Sequence, residues 1–291
     1  MSQPANPPDD ARSILITGSS SGIGRATAER FASRGWRVFA SMRNPEDRGA
    51  PLRARATEAG WRLTTPALDV TSDDSVAVAT ADILRETGGR LDVLINNAGY
   101  YQFGALEETS PDELRAQLET NVVGVQRVTR AVLPAMRARR AGTVVTLGSV
   151  SGRVAVPLGG PYHASKWALE GMIEALRLEL IPFGVRVVLI EPGVIATGIW
   201  SAGRTVGEEL LAGMPPAAAG TYRAQIDRTR RDAARAEEKG MSPSVVADVI
   251  ARALTTTRPR PRYLVGRDAR AAALLARLPY RIQYRLTAAR A

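Results

Sequence analysis

A tyrosine and a lysine four residues apart, in the segment Tyr162-His-Ala-Ser-Lys166, form the pair in this chain best suited to acid/base chemistry. Residues four apart on a helix share one face, so the phenol and the ammonium group would lie side by side. A nearby cation favours phenolate over phenol, and we expect Lys166 to lower the pKa of Tyr162 from its usual value of about 10. Such a tyrosine can exchange protons near neutral pH, although the same spacing also arises by chance on helices.

The identity of the cation strengthens this pair. All but two of the 39 basic residues are arginine, and Lys166 is one of the two lysines. An arginine is a planar, permanently protonated fork, whereas a lysine is a compact ammonium on a flexible stem, so the two are not interchangeable at a tight site.

Composition excludes several other kinds of chemistry. The 291 residues contain no cysteine, which excludes disulfides, zinc-finger spacings and thiol catalysis. His163 is the only histidine, so a hydrolase triad or a multi-histidine site would depend on that one residue, and we expect no metal. The net charge of +10 comes from arginines scattered along the chain, which favours a solvated basic surface over a nucleic-acid site.

The two ends of the chain have compositions that predict structure outside the main domain. Residues 1–11 are rich in proline, aspartate and asparagine, and we expect a disordered tail there rather than a secretion signal. No apolar run approaches the roughly 20 residues that span a bilayer, so we expect a soluble, cytoplasmic protein. Near the C-terminus an apolar stripe recurs every four residues at Leu274, Leu278, Ile282 and Leu286. The stripe could pack on the domain or on a partner subunit, and peripheral membrane contact is the less favoured alternative.

A glycine-rich turn near the N-terminus has the context of a dinucleotide-binding loop. The run Ser13 to Thr17 predicts a buried strand, and the glycine-rich turn leads from it into a helix pattern that ends near Gly35. Glycines permit the tight turn and the approach of backbone to a diphosphate, and the helix N-terminus offers free N–H groups. We expect cofactor contacts here from Gly18, Ser20, Ser21, Gly22, Ile23 and Gly24.

The end of the second strand, Trp36 to Ser41, bears on the choice between NAD and NADP. An acidic residue near this position binds the adenine ribose hydroxyl of NAD, whereas a basic residue accommodates the 2′-phosphate of NADP. The acid is missing and Arg43 is present, so we expect NADP, with NAD the less favoured cofactor. Ser20 is a further hydrogen-bond donor to that phosphate, and a plain surface role for Arg43 is the alternative.

Two further strand ends carry polar groups. The third predicted strand, Trp61 to Val70, ends at Asp69, which could accept a hydrogen bond from an adenine amino group or cap the helix that follows. The fourth, Leu91 to Ile95, runs into Asn96-Asn97-Ala98-Gly99, where small residues let backbone approach the cofactor and asparagine side chains can tie strand ends together.

The repeated strand–helix order predicts an α/β fold: a single Rossmann domain with a doubly wound parallel sheet of about seven strands and helices on both faces. We expect this catalytic domain over residues 12–267, with a substrate lid at about 198–240. A long helix pattern runs over 111–140 with Asn121 in its middle, and residues 268–291 form a C-terminal helical extension.

Taken together, the motifs resemble those of the short-chain dehydrogenases/reductases, over about residues 12 to 200 and in the right order. The residues that carry the resemblance are Thr17-Gly18-x-x-x-Gly22-x-Gly24, Asp69, Asn96-Asn97-Ala98-Gly99, Asn121, Ser149, Tyr162-x-x-x-Lys166 and Pro192-Gly193-x-x-x-Thr197. The segment Pro161 to Gly171 is similar to the branch that contains 17β-hydroxysteroid and retinol dehydrogenases.

The resemblance implies a mechanism. Tyr162 would give a proton to a carbonyl oxygen or take one from an alcohol, as a hydride moves to or from nicotinamide. Lys166 would lower the pKa of Tyr162 and hold the nicotinamide ribose, and Ser149 would bind the reacting oxygen. Asn121 would bend its helix and hold a water that connects Lys166 to solvent.

The resemblance also implies further cofactor contacts. The adenine would lie against Asp69 and Val70, and the nicotinamide carboxamide against Ile195 and Thr197. The other expected cofactor contacts are Asn97, Ala98, Gly99, Tyr162, Lys166, Pro192 and Gly193.

The substrate is less defined than the chemistry. Scarce aromatic side chains gather near the site, which predicts an apolar pocket for a bulky alcohol, ketone or aldehyde; the candidates are Tyr100, Tyr101, Phe103, Val154, Leu158 and Trp200. His163 should face another side of the helix and be structural or pocket-lining. We expect a homodimer or homotetramer. The alternatives to an enzyme are a non-catalytic NADP sensor or scaffold, and a protein that binds nucleic acid or membranes through its charge.

Overall fold

The computed structural model describes residues 12–198 and 220–288. Its strands are short and rich in branched apolar residues. They are β1 (Ser13–Ile16), β2 (Arg37–Ala40), β3 (Leu63–Thr64), β4 (Val93–Asn96), β5 (Gly142–Leu147), β6 (Val185–Pro192) and β7 (Arg262–Val265).

These strands form one parallel sheet in the order β3-β2-β1-β4-β5-β6-β7. The order reverses direction between β1 and β4, and ligands of such sheets bind beyond the carboxyl ends of the strands at that switch point. The predicted doubly wound parallel sheet of about seven strands in a single α/β domain is confirmed.

Helices cover both faces of the sheet. They are α1 (Gly22–Ala32), α2 (Pro45–Arg48), α3 (Ala50–Glu58), α4 (Asp73–Glu86), α5 (Pro111–Leu118), α6 (Gly124–Ala138), α7 (Gly160–Leu180), α8 (Arg223–Lys239), α9 (Pro243–Thr255), α10 (Arg267–Leu275) and α11 (Tyr280–Ala288).

Side chains along β1 point alternately to the two faces of the sheet, and each face has its own hydrophobic core. Ile14 and Ile16 point to one face, where α1 and α9 pack, and Leu15 points to the other, where α4, α6 and α7 pack. All three side chains are completely buried, as parallel strands covered on both faces require. Each contributes about 2 kcal/mol by its removal from water.

One predicted element was wrong in extent. The third strand was expected over residues 61–70, but β3 contains only Leu63 and Thr64, followed by a single bridge between Met42 and Ala67. This strand lies at the sheet edge and pairs with β2 alone. Residues 65–70 therefore have few backbone hydrogen bonds to keep them in a β-strand.

The long helix expected over 111–140 runs continuously from Pro111 to Ala138, with one irregular turn in its middle. Residues Glu119–Val123 form a π-helical turn between α5 and α6. The extra residue of a π turn rotates the helix locally, and such turns occur often at functional sites.

The C-terminal segment contains α10 and α11, with Pro279 between them. Ala269 and Ala273 of α10 are buried against the domain, whereas the predicted stripe of Leu274, Leu278, Ile282 and Leu286 is exposed. Within the described ranges, the stripe therefore faces solvent and does not pack on the domain. No helix in the described ranges has the length and hydrophobicity needed to cross a bilayer.

Candidate active site

The glycine-rich turn lies at the switch point, between β1 and the start of α1. Gly18 has a left-handed backbone with φ of +68°, and a Cβ there would come within 2.8 Å of the Cα of Ala98. A Cβ on Gly24 would collide with the Gly18 carbonyl oxygen and come within 2.5 Å of Asn97 Nδ2. Glycine at both positions therefore allows β1, α1 and the loop after β4 to approach each other closely.

The first turn of α1 keeps its N–H groups available to an anion. Ser21 precedes the helix but forms no side-chain cap with it. A Cβ on Gly22 would lie 3.2 Å from the methyl group of Thr197, so the structure brings these two predicted cofactor residues together. Free N–H groups and the positive end of the helix dipole fit the diphosphate of a dinucleotide.

Thr17 ties β1 to the loop after β4. Its hydroxyl oxygen accepts hydrogen bonds of 3.0 Å from the backbone N–H groups of Asn97 and Ala98. In return, Asn97 Nδ2 donates to the carbonyl oxygens of Thr17 and Gly18 at 2.8 and 2.9 Å. The prediction that asparagine side chains tie the strand ends together is confirmed for Asn97.

Asp69 does not cap the following helix. Its Oδ1 accepts from the backbone N–H and the hydroxyl of Thr71, at 2.9 and 2.8 Å, while Ser72 is the residue that caps α4. Burial raises the pKa of Asp69, but the bonds from Thr71 and the charges of Arg43 and Arg127 outweigh it and place the pKa below its usual value. Arg43 is exposed beyond β2 and lies near enough to act on Asp69.

The other adenine-side residue, Val70, is buried against α6, since a Cβ on Gly124 would come within 2.8 Å of its Cγ2.

Ser149, Tyr162 and Lys166 converge beyond the end of β5. Ser149 follows that strand, and Tyr162 and Lys166 lie in the first two turns of α7. Lys166 Nζ lies 5.6 Å from the centre of the Tyr162 ring and donates to the carbonyl oxygen of Leu147 at 2.8 Å. All three side chains are buried.

The predicted effect of Lys166 on Tyr162 was wrong in this structure. Burial raises the pKa of Tyr162 to about 12, although the hydrogen bond with Ser149 lowers it. Burial also lowers the pKa of Lys166 to about 8. Removal from water disfavours the charged form of both groups, and it is the largest cause of both shifts.

Asn121 lies in the π-helical turn and is buried. Its Oδ1 accepts from the backbone N–H of Tyr100 at 3.1 Å, and its Nδ2 donates to the Tyr100 carbonyl at 3.1 Å. The same Nδ2 donates to Ser165 Oγ at 3.0 Å, and Ser165 donates to the carbonyl of Tyr162 at 2.7 Å. Asn121 thus connects the loop after β4 to the helix of Tyr162.

His163 has a structural role, as expected. Its Nε2 accepts from the backbone N–H of Val156 at 3.1 Å, and its Nδ1 pairs with the carbonyl oxygen of Ser151 at 3.0 Å. Burial lowers its pKa, so the ring is neutral near pH 7 and holds the loop before α7.

Three aromatic rings meet at the site. The Tyr101 ring lies 4.4 Å from that of Tyr162 and 4.3 Å from that of Phe103, between ring centres. Ala233 of α8 packs on this aromatic cluster. Helix α8 lies in the segment that was predicted to form a substrate lid, whereas residues 199–219, including Trp200, lie outside the described residues.

Of the other pocket candidates, Tyr100 and Val154 are half-buried, and Leu158 has a left-handed backbone with φ of +60°.

The loop after β6 is held from the C-terminal side. Gly193 donates its backbone N–H to Val265 at 3.0 Å, and the Asp268 carboxylate accepts from Val194 at 2.5 Å. Ile195 is buried and forms a bridge with Met241.

Sequence reasoning missed several supporting residues at the site. They are Asp268, the ion pair of Arg153 with Glu191, and the buried amide of Gln117. Little in the sequence distinguishes them, because one arginine or aspartate looks like any other in a chain with many charged residues.

A family model described as short chain dehydrogenase matches residues 12–205. The chain belongs to the short-chain dehydrogenase family. It is therefore an oxidoreductase that acts on CH–OH groups, and its predicted family is confirmed.

Named relatives cover most of the chain. A 3-ketodihydrosphingosine reductase of Bacteroides thetaiotaomicron is 36% identical, with 87% of each chain covered. Human 17-beta-hydroxysteroid dehydrogenase type 1 is 38% identical, covering 86% of this chain and 76% of that protein. Human retinol dehydrogenase 8 is 36% identical, covering 85% and 79%. The predicted resemblance to the hydroxysteroid and retinol dehydrogenase branch is therefore confirmed.

Among solved structures, a short-chain dehydrogenase/reductase from Burkholderia phymatum in complex with NAD has a TM-score of 0.78. It is 30% identical to this chain, and 94% of each chain is covered. Together with the glycine-lined turn at the switch point, this supports a nicotinamide cofactor.

Proposed function

We propose that the protein interconverts a hydrophobic secondary alcohol and its ketone, or an aldehyde, with NADP as cofactor and Tyr162 as the acid/base. The observation that carries the proposal is the convergence of Ser149 and Lys166 on Tyr162 inside an aromatic cluster. The raised pKa keeps Tyr162 protonated at neutral pH, the form needed to donate to a carbonyl oxygen.

The other polar groups have distinct parts in this proposal. The hydroxyl of Ser149 binds the reacting oxygen and stabilises the charge that develops on it. Lys166 has a pKa of about 8, so it can carry or release a proton close to neutral pH. Asn121 holds the loop after β4 against α7 through Tyr100 and Ser165.

A bound nicotinamide dinucleotide supplies or accepts the hydride. The described residues fit such a group, since the turn from Gly18 to Gly24 leaves room where side chains would collide and α1 offers its N-terminal N–H groups. We assign the adenine end to Asp69 and Val70, and the nicotinamide end to Lys166, Ile195 and Thr197.

The preference for NADP rests on Arg43. This residue is exposed beyond β2, where an acid would select the ribose hydroxyl of NAD, and its charge acts on Asp69. Titration of NADPH and NADH, followed by fluorescence, tests the preference. Tighter NADPH binding that is lost in Arg43→Ala supports it, whereas equal affinities in the parent protein refute it.

A hydrophobic substrate agrees with the aromatic cluster of Tyr101 and Phe103 beside Tyr162. It also agrees with the sphingoid, steroid and retinoid names of the relatives. A panel of long-chain, steroid and aryl ketones, followed by NADPH fluorescence, would identify the class; activity confined to small polar ketones would contradict it.

Tyr162→Phe tests the mechanism. The variant loses the exchangeable proton but keeps the ring, so turnover should fall by a factor of about a thousand or more while NADPH still binds. Undiminished turnover would show that another group transfers the proton and that Tyr162 is not catalytic. The findings lend no support to the alternative of a sensor or scaffold protein. A homodimer or homotetramer in the cytoplasm remains our expectation.

A further inference from the structure

Gln117 is a completely buried amide on α5 that the family motifs do not include. Both of its polar groups bind the backbone of the segment after β4. Its Nε2 donates to the carbonyl of Tyr100 at 3.0 Å, and its Oε1 accepts from the N–H of Gln102 at 3.0 Å. One side chain thus bridges residues 100 and 102 as a neighbouring strand would.

The residue between these two anchors is Tyr101. Its ring lies against the Tyr162 ring, with 4.4 Å between centres and an angle of 33°. The hydroxyl end of the ring is enclosed as well, since a Cβ at Gly159 would collide with the Tyr101 hydroxyl. The Tyr101 ring thus lies against Tyr162 while its hydroxyl abuts the backbone of Gly159.

We propose that Gln117 is a positioning residue for the reaction: it fixes residues 100–102 so that the Tyr101 ring holds the Tyr162 phenol in place. The inference rests on the proposed role of Tyr162. A phenol that shifts by a fraction of an ångström relative to Ser149 and the substrate loses alignment for proton transfer.

Asn121 does not replace Gln117 in this role. It binds both backbone groups of Tyr100, so that residue stays anchored when Gln117 is lost. The N–H of Gln102 is buried and has Gln117 as its acceptor. Removal of Gln117 therefore releases residue 102 between the anchors at Tyr100 and Gly104, and the adjacent Tyr101 ring holds Tyr162 less firmly, while the contact of Asn121 with α7 remains.

The test compares Gln117→Met with a matched control, Thr129→Val, using NADPH and the best ketone of the panel. Methionine keeps the length and volume of glutamine but has no donor for Tyr100 and only a weak acceptor for Gln102. Thr129 lies farther along on α6, and its substitution removes another buried hydrogen bond, the 2.9 Å bond from Asn96. Gln117→Met should lower kcat by about ten- to a hundredfold, with the KM and the Kd of NADPH changing much less. Thr129→Val should keep kcat.

A double-mutant cycle decides whether Gln117 acts through Tyr101. Tyr101→Leu should itself lower kcat, and adding Gln117→Met to it should lower kcat no further. Losses that multiply, or an unchanged kcat in Gln117→Met, would overturn the inference.

Tyr101→Leu leaves the buried amide paired and tests the ring contact even if Gln117→Met fails to fold. An unchanged kcat in Tyr101→Leu would overturn the inference by itself. Tyr162→Phe separates the two proposals: full turnover in that variant refutes the proposed function, whereas an inactive Tyr162→Phe beside a normal Gln117→Met refutes only the role of Gln117.

Discussion

Arg153 and Glu191 form an ion pair, and we expect the loss in the free energy of unfolding to depend on which partner is removed. Glu191, near the end of β6, is completely buried. Its Oε1 accepts from Arg153 Nε at 2.5 Å and its Oε2 from Nη2 at 3.0 Å, and Arg262 lies 3.7 Å away. The pair joins the turn after Ser149 to the strand that leads into the cofactor loop.

The two partners differ in exposure, and this difference sets the magnitudes. The side chain of Arg153 is 26% exposed, so water can partly solvate it when Glu191 is lost. Glu191 has no such access. Breaking a buried pair costs about 3–5 kcal/mol. We expect the lower end of that range for Arg153→Met, because Arg262 still lies 3.7 Å from Glu191, and only about 2 kcal/mol for Glu191→Gln, which keeps an acceptor for Arg153.

Urea unfolding of the purified protein measures these losses as shifts in the urea concentration at the midpoint. The comparison requires that the m value, the dependence of the free energy of unfolding on urea concentration, stays constant. The double variant Arg153→Met/Glu191→Leu should recover most of the stability, because it leaves no buried charge from the pair. Arg115→Met is the control, since its pair with Asp112 is exposed at both ends and should change stability by less than about 1 kcal/mol. Equal losses for Arg153→Met and Glu191→Gln, or no recovery in the double variant, would refute the reasoning.

Two further changes test other parts of the site. Gly24→Ala places a Cβ against the Gly18 carbonyl and Asn97, so it should weaken NADPH binding by about ten- to a hundredfold in a fluorescence titration; normal binding would show that the turn can relax. Burial lowers the pKa of Lys166 from its usual 10.5 to about 8, so the folded state binds its proton more weakly than the unfolded state does. The free energy of unfolding should therefore rise by about 2 kcal/mol between pH 8 and 10 in the parent protein, and not in Lys166→Met; the same dependence of the free energy of unfolding on pH in both proteins, measured by urea unfolding, would contradict the burial of this charge.

The sequence predicted the elements with strong periodicity well. The branched runs of β1, β4 and β5 and the glycine-rich turn were recognised because their patterns are local. The extent of β3 was not, because an edge strand depends on pairing with one neighbour. The π-helical turn was also missed, since its apolar pattern continues from α5 into α6 without a visible break.

At the site, residue types predicted which groups meet but not their electrostatics. The spacing of Tyr162 and Lys166 placed both on one face of α7, yet the direction of the Tyr162 pKa depends on burial, to which Ser149, Tyr101 and α8 contribute from distant parts of the chain. Gln117 and Glu191 were overlooked for the same reason: their partners lie 15 and 38 residues away in sequence, and only folding brings them together.

The π-helical turn at Glu119–Val123 limits how this part of the chain can change in evolution. Gln117 and Asn121 face the loop after β4, while Val128, Val132 and Met136 of the same continuous helix face the sheet. Deleting one residue from the turn would rotate everything beyond it by about 100°, and one of these two faces would turn away from its partner. Homologues should therefore differ in this stretch by substitution and keep its length constant, so an alignment gap here would mark a protein with a rebuilt site.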